Sequence, residues 1–347
     1  MMSYLEAQAP CVYIPNSDWG HSCVCSRLSE TVRVVGIVHS DDPLHYEHVA
    51  RLGAYWNAVV AVSDAIALRV TRLLPNHAAR IVTVPYGVPI PDQLGEQRLT
   101  DSGRLRVVYA GRLMQAQKRV LDLPRIVKRA LEQGVDMELL VAGAGNDERR
   151  LRADCDLLVN RGVVRFLGTR PNDEVLRLFG SAGAMLLPSE FEGLPLSVIE
   201  AMGRGCVPVV SDVASGIPEL IEDGISGYRV RLGDVCGFAR RLAILYHDPQ
   251  ARRAMGFAAH RAVLRGGYRV EDMVRRYAEL FERVDAEARS GAYRRRQGPI
   301  VPPPGLYSDA WKARLPGPVR AIGRLGKHAV RGLASCARAL RDSRPDS

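Results

Sequence analysis

Long apolar runs are missing from this 347-residue chain: no stretch of about 18 consecutive apolar residues occurs, so no membrane-spanning helix is expected. The opening, MMSYLEAQAPCVYIPN, has no basic segment leading into an apolar core and does not read as a secretory leader. Paired cysteines are missing as well. The seven thiols (Cys11, Cys23, Cys25, Cys155, Cys206, Cys236 and Cys336) are odd in number and scattered, which excludes a disulfide framework and favours the cytoplasm. HSCVCSR gathers His21, Cys23 and Cys25, but no second pair at ligand spacing accompanies them, so ordinary thiols are expected there rather than zinc. Charge imbalance is missing from most of the chain. Of the formal +10, the segment from Gly291 onward carries +9, with twelve Lys/Arg against three Asp. Basicity therefore belongs to the tail. That tail lacks interleaved aromatics, and no nucleic-acid partner is expected.

What is present is an ordinary globular composition, 47% hydrophobic and 25% charged, in a chain long enough for two domains at roughly 100–200 residues each. From residue 104 to 230, short β-branched runs alternate with helix-compatible stretches: LRVVYAGRL, MELLVAGAG, VVRFLGT, GAMLLPS, CVPVVSD and GYRV are the strands. Such alternation predicts a parallel sheet with helices on both faces, binding ligands beyond the strands' C-terminal ends. Upstream, VRVVGIVHSDD, AVVAVSD and ARIVTVPYGV read as further strands, with YEHVARLGAYW and AIALRVTRLL as helices. The polar DQLGEQRLTDSGR places a boundary near residue 100. The expected division is 1–100, 101–288, and a Pro-rich linker with a basic amphipathic tail over 289–347, the linker being YRRRQGPIVPPPG. In the tail, Ile322, Leu325, Ala329, Leu333, Cys336 and Leu340 recur at helical spacing. That stripe could pack on the body or lie on an anionic membrane. Gly323, Gly326 and Gly332 each weaken an isolated helix by about 1 kcal/mol, which favours packing or disorder over autonomous insertion.

The chemistry concentrates in FEGLPLSVIEAMGRGCVPVVSD, where Glu192 and Glu200 bracket seven uncharged residues at a strand-to-helix handover. Ser197 and Glu200 have the spacing of a capping box, Ser at the N-cap and Glu at N3; that is the purely structural reading of Glu200. Glu192, in a turn beside an anion-attracting helix start, fits it less well. One arrangement accommodates both. A diphosphate lies on the loop and helix amides, and the two carboxylates accept hydrogen bonds from flanking sugar hydroxyls. Arg112 and Lys118 of AGRLMQAQKR, after another strand of the same half, supply the cations that would stabilise a departing diphosphate without a metal.

PSEFEGLPLSVIEAMGRGCVPVVSDVASGIPELIEDGISGYRV resembles the E-x7-E region of retaining glycosyltransferases with the GT-B fold, of the family 4 type. YAGRL…QKR, VAGAGNDERRL, VRFLGT, GIVHSDD, VVAVSDAI and VPYGV stand in that family's order, so the likeness covers roughly residues 30–285. It implies an α/β chain of two Rossmann-like domains facing across a cleft. Its activity would be transfer of a sugar from a nucleotide diphosphate sugar to an acceptor hydroxyl, with retention. By the same likeness Arg112 and Lys118 would contact the donor diphosphate, with Gly193, Leu194, Pro195, Leu196 and Ser197 along the diphosphate and sugar. Glu200 would bind the ribose, Thr169 and Arg170 would edge the base pocket, Glu192 would touch the donor sugar near the reacting carbon, and His39 would face that sugar across the cleft. No metal and no cofactor is implied beyond the donor itself. No Asp-x-Asp in a metal-site context stands out in the donor half, and HSDDPLHYEH reads as a solvated acceptor-side loop. The acceptor would be a glycan, a lipid-linked molecule or a small molecule, and the location cytoplasmic, with the basic tail as a possible peripheral membrane contact.

The chain departs from the family pattern twice. The spacing from Arg112 to Lys118 is one residue longer than in its commonest form, and only 38 residues precede His39, with no Gly-Gly loop near the start. The N-terminal half is therefore expected to be incomplete. The alternative function is a catalytically impaired nucleotide-sugar-binding or scaffold protein. A nucleotide-sugar epimerase shares the fold, but the further acidic and histidine residues it depends on have no counterpart that can be placed here.

Overall fold

VRVVGIV is buried at every residue, as a strand covered on both faces must be. In the computed structural model, which describes residues 1–16, 18–94 and 103–298, this strand, β2 (Val32–Val38), lies between β1 (Cys11–Tyr13) and β3 (Ala58–Ala61), with β4 (Ile81–Thr83) beyond β3. All three pairings are parallel. β1 has no counterpart in the sequence reading: three residues are too few to show a periodicity, and pairing with β2 is what makes them a strand.

The second sheet has six parallel strands: β5 (Leu105–Ala110), β6 (Met137–Ala142), β7 (Val164–Gly168), β8 (Ala184–Leu187), β9 (Val207–Asp212) and β10 (Tyr228–Arg231). Their spatial order is β10-β9-β8-β5-β6-β7. The chain builds outward from β5 through β6 to β7, then returns to β5's other side to lay down β8. The order thus reverses between β5 and β8, the position at which open parallel sheets form a ligand crevice beyond their strands' C-terminal ends.

After β5 the sequence predicts one continuous helix from Lys118 to Gly134. The structure divides it into a short helix Gln115–Lys118, a turn Val120–Asp122 and a helix Leu123–Glu132. Pro124 is the reason: without an N–H it fits only a first turn, so the longer helix must begin just before it. Gly134 ends that helix with φ +76°.

The last helix among the described residues, Val270–Ser290, and the residues after it return to the first sheet. Arg33 on β2 pairs with Asp285 at 3.2 Å, and Val88 N–H donates to Tyr268 C=O at 2.9 Å. Here the linker reading of YRRRQGPIVPPPG is corrected at its start. Arg295 is buried, donating to the carbonyls of Cys25, Leu28 and Ser29, and Tyr293 stacks on the Arg80 guanidinium. Composition marks Pro and Gly but does not register three carbonyls waiting for a guanidinium. The described residues fall in one compact unit, Met1–Val301. The boundary near residue 100 and the apolar stripe Ile322–Leu340 lie outside the described residues, the former in the gap at 95–102 and the latter beyond 298. Among the described residues no helix is long and apolar enough to cross a membrane.

Candidate functional site

The loops after β5 and β8 meet at the point where strand order reverses. Lys118 Nζ lies 2.6 Å from Glu192 Oε1, and both side chains are largely withdrawn from solvent, 13% and 6% exposed. Arg112 is exposed and donates to Gln117 Oε1 at 2.7 Å. Tyr109, buried beneath, donates its hydroxyl to Arg112 C=O at 2.7 Å; burial first, and the Glu192 charge second, hold its pKa well above the usual tyrosine value. Two residues that sequence reasoning missed complete the crossing. Arg119 donates to Asp122 Oδ2 and Glu190 Oε2, each at 2.8 Å, and Glu190 N–H donates to Gln117 C=O at 2.7 Å. Arg119 sits in the left-handed region, φ 48° and ψ 41°, a conformation that costs a side-chain-bearing residue about 1–2 kcal/mol. The ending QKR was the one sequence signal for it.

The capping-box reading does not hold. The helix after β8 is Leu196–Gly203 with Pro195 at its N-cap and no side-chain cap. Ser197 therefore lies inside the helix, and Glu200 is a turn past the start. The Glu200 carboxylate instead accepts from Asn172 Nδ2 at 2.7 Å, from the helix that follows β7. Burial raises the Glu200 pKa, partly offset by the Asn172 hydrogen bond and the Arg204 charge. Thr169 and Arg170 lie exposed just before Asn172, with Arg170 at 3.5 Å from Glu174. Leu194 and Pro195 are buried, and Leu196 is exposed. Glu192 and Glu200 thus hold different partners on different loops of the same rim.

Backbone bonds join that rim. Gly111 N–H donates to Ala142 C=O, Leu113 N–H to Ala144 C=O, and Gly143 N–H to Gly168 C=O. Gly143, at φ +137°, passes so near the Gly111 carbonyl that a Cβ would strike it. The GAG triplet serves loop-on-loop approach.

The first sheet contributes the opposing wall. Gly193 presses against His39 and Ser40; a Cβ there would collide with the His39 carbonyl oxygen and lie 2.9 Å from Ser40 Cα. The His39 ring is held at both nitrogens, Nε2 at 2.5 Å from Asn16 Oδ1 and Nδ1 at 2.6 Å from Tyr86 Oη. An amide oxygen only accepts, so Nε2 carries the proton and Nδ1 accepts from Tyr86. Burial, then the His45 charge, lowers the His39 pKa, while burial pushes Tyr86 up to about 12. The imidazole is neutral at pH 7. In HSDDPLHYEH, Asp42 caps the helix Pro43–Leu52 and Asp41 takes the Arg69 guanidinium and the Tyr46 hydroxyl. In HSCVCSR, Cys25 is buried with its pKa raised to about 12 by burial, and the Cys23 thiol donates to Gly20 C=O. Among the described residues, no three His, Cys, Asp or Glu side chains converge to hold a metal. A cavity of about 260 Å³ lies elsewhere, between β4 and the helix Val270–Ser290, and none of the site residues lines it.

Two parallel sheets, with a crevice at the reversal of the second and a facing wall from the first, define a GT-B-like glycosyltransferase fold. Among solved structures, the chain is similar to that of a point mutant of TarM of S. aureus in complex with fondaparinux, alpha-GlcNAc-glycerol and UDP. The TM-score is 0.68 at 17% identity, over 81% of this chain and 58% of that one. It is likewise similar to the lipopolysaccharide outer core galactosyltransferase WaaB, with TM-score 0.62 at 21% identity over 84% and 78%. Residues 92–262 match the family "Glycosyl transferases group 1". Curated relatives include the putative colanic acid biosynthesis glycosyltransferase WcaL of Escherichia coli K12, 41% identical over 40% of this chain and 35% of its own. The amylovoran biosynthesis glycosyltransferase AmsK of Erwinia amylovora is 33% identical over 52% and 45%. Family match and relatives together make this segment similar to glycosyltransferase group 1. The chain spans less than half the length of these two relatives.

Proposed function

We propose that this chain is a retaining glycosyltransferase that moves a sugar from a nucleoside diphosphate sugar to an acceptor hydroxyl without a metal ion. The observation that carries the reading is the meeting of Lys118 with Glu192 at the β5–β8 reversal, with Arg112 alongside. A nucleoside diphosphate bound there replaces Glu192 as the partner of Lys118, exchanging one anion for another at little cost in desolvation. Arg112 takes a second phosphate oxygen. The helix Leu196–Gly203, with no side-chain cap, turns its amides toward the same anion. Gly193, Leu194, Pro195 and Ser197 line the run from phosphate to sugar. Glu200, held by Asn172 through one oxygen, keeps the other for a ribose diol, and Thr169 and Arg170 border the base.

In the reaction, the bond from the anomeric carbon to the diphosphate breaks and a bond to the acceptor oxygen forms on the same face. The acceptor proton passes to the departing phosphate oxygen. Arg112 and Lys118 stabilise the charge that builds on that leaving group. Glu192, released from Lys118, faces the donor sugar as a ligand and stabiliser of positive charge at carbon 1. His39 turns its Nε2–H from Asn16 to a sugar hydroxyl.

The names of the curated relatives and the glycan-containing complex of TarM support a glycan acceptor. Unpaired thiols at all six described cysteines support a cytoplasmic setting. Proton NMR of the product formed from an α-linked nucleotide sugar tests the assignment: an α-anomer is expected, and a β-anomer overturns retention.

A further inference from the structure

We propose that Arg119 and Glu190 form a positioning brace for the donor-phosphate lysine, an inference that rests on the function just assigned to Lys118. Three consecutive residues of the β5 loop each hold the β8 loop: Gln117 through its carbonyl to Glu190 N–H, Lys118 to Glu192, and Arg119 to Glu190. Among the described residues only Asn16 and Arg119 are non-glycine residues at positive φ. The left-handed turn at Arg119 is what lets two successive side chains reach the same neighbouring loop. A strained conformation at a binding crevice, tied down by two carboxylates, is retained because the surrounding contacts over-determine it.

The brace matters most when the donor arrives. Lys118 then gives up Glu192 for phosphate, and one of the three links between the loops is lost. The Arg119–Glu190 pair and the Gln117–Glu190 backbone bond remain to fix the loop separation. Neither Arg119 nor Glu190 needs to touch the donor; both act through the placement of Lys118 and Glu192.

Arg119→Gly and Glu190→Gln test this, singly and combined, with turnover on the nucleotide sugar the wild type accepts and calorimetric affinity for its nucleoside diphosphate. Glycine adopts the left-handed turn without strain, so Arg119→Gly removes the guanidinium and not the fold. Each single variant is expected to lose about tenfold or more in kcat, with nucleoside diphosphate Kd moving less than threefold. The double variant should be no worse than the poorer single one, as for two halves of one link, and Arg119→Lys should recover part of the loss. Unchanged kcat in both single variants, or losses that multiply, overturns the brace. Lys118→Ala separates the two claims. If it abolishes donor use while Arg119→Gly turns over normally, only the brace fails; wild-type turnover in Lys118→Ala defeats the site reading and the brace together.

Discussion

Glu200 combines a functional advantage with a structural cost. Burial raises its pKa, so the folded protein holds that proton more tightly than the unfolded chain. Stability from this group is full at acid pH and declines as pH rises through the raised folded value. At neutral pH the protein therefore tolerates a half-buried charge that its fold does not need. Glu200→Gln should raise the melting temperature slightly at pH 7, with the gain vanishing as pH falls below the ordinary carboxylate range. The same change should weaken nucleoside diphosphate binding on the order of tenfold, since a neutral amide is a poorer partner for a ribose diol. Melting curves across pH, beside calorimetry at pH 7, check both halves. The local sequence supports a cap for Glu200, because Ser-x-x-Glu has the spacing. What overrides it is Pro195, which takes the N-cap and moves Ser197 inside, and Asn172, 28 residues earlier, whose amide reaches the carboxylate. Contacts of that kind, like those of Asn16 and Tyr86 to His39, leave no local trace in a sequence.

At the scale of elements, the six strands after residue 104 were legible because each is a short, largely apolar run closed by Gly, Pro or Asp. Their order was not, since nothing in the runs says which side of β5 receives β8. Contacts between the sheets depend on single positions. The helix Asp64–Leu73 takes one cap from Ser63 Oγ on Ile66 N–H and two from Glu219, which accepts from Asp64 and Ala65 N–H at 3.0 and 2.8 Å. Glu219→Ala should cost about 1 kcal/mol in denaturant titration and speed amide exchange at Asp64 and Ala65, while Ser63 still holds the third N–H. Gly193→Ala should be harsher, because its Cβ meets backbone that cannot rotate away. A loss of about 1–3 kcal/mol is expected, with donor turnover falling alongside stability.

The described residues form two sheets tied together by the returning segment around residues 268–298 as well as by the site. Arg295 is one of these ties, a buried guanidinium on three main-chain carbonyls of the turn and loop that lead into β2. Arg295→Ala leaves those carbonyls without their charged donor and should destabilise the protein by about 2–4 kcal/mol in denaturant titration, with the site residues themselves unaltered. The basic composition of Tyr293–Gly305 concealed this tie, since charge and proline read as linker until a partner is visible. The central claim is that the crevice between β5 and β8 holds a pyrophosphate through Lys118 and Arg112. Thermal shift with UDP, GDP and ADP tests it most directly. At least one should raise the melting temperature by several degrees, and Lys118→Ala and Arg112→Ala should each abolish most of that shift. No shift with any of the three, or a shift that survives both substitutions, contradicts the account.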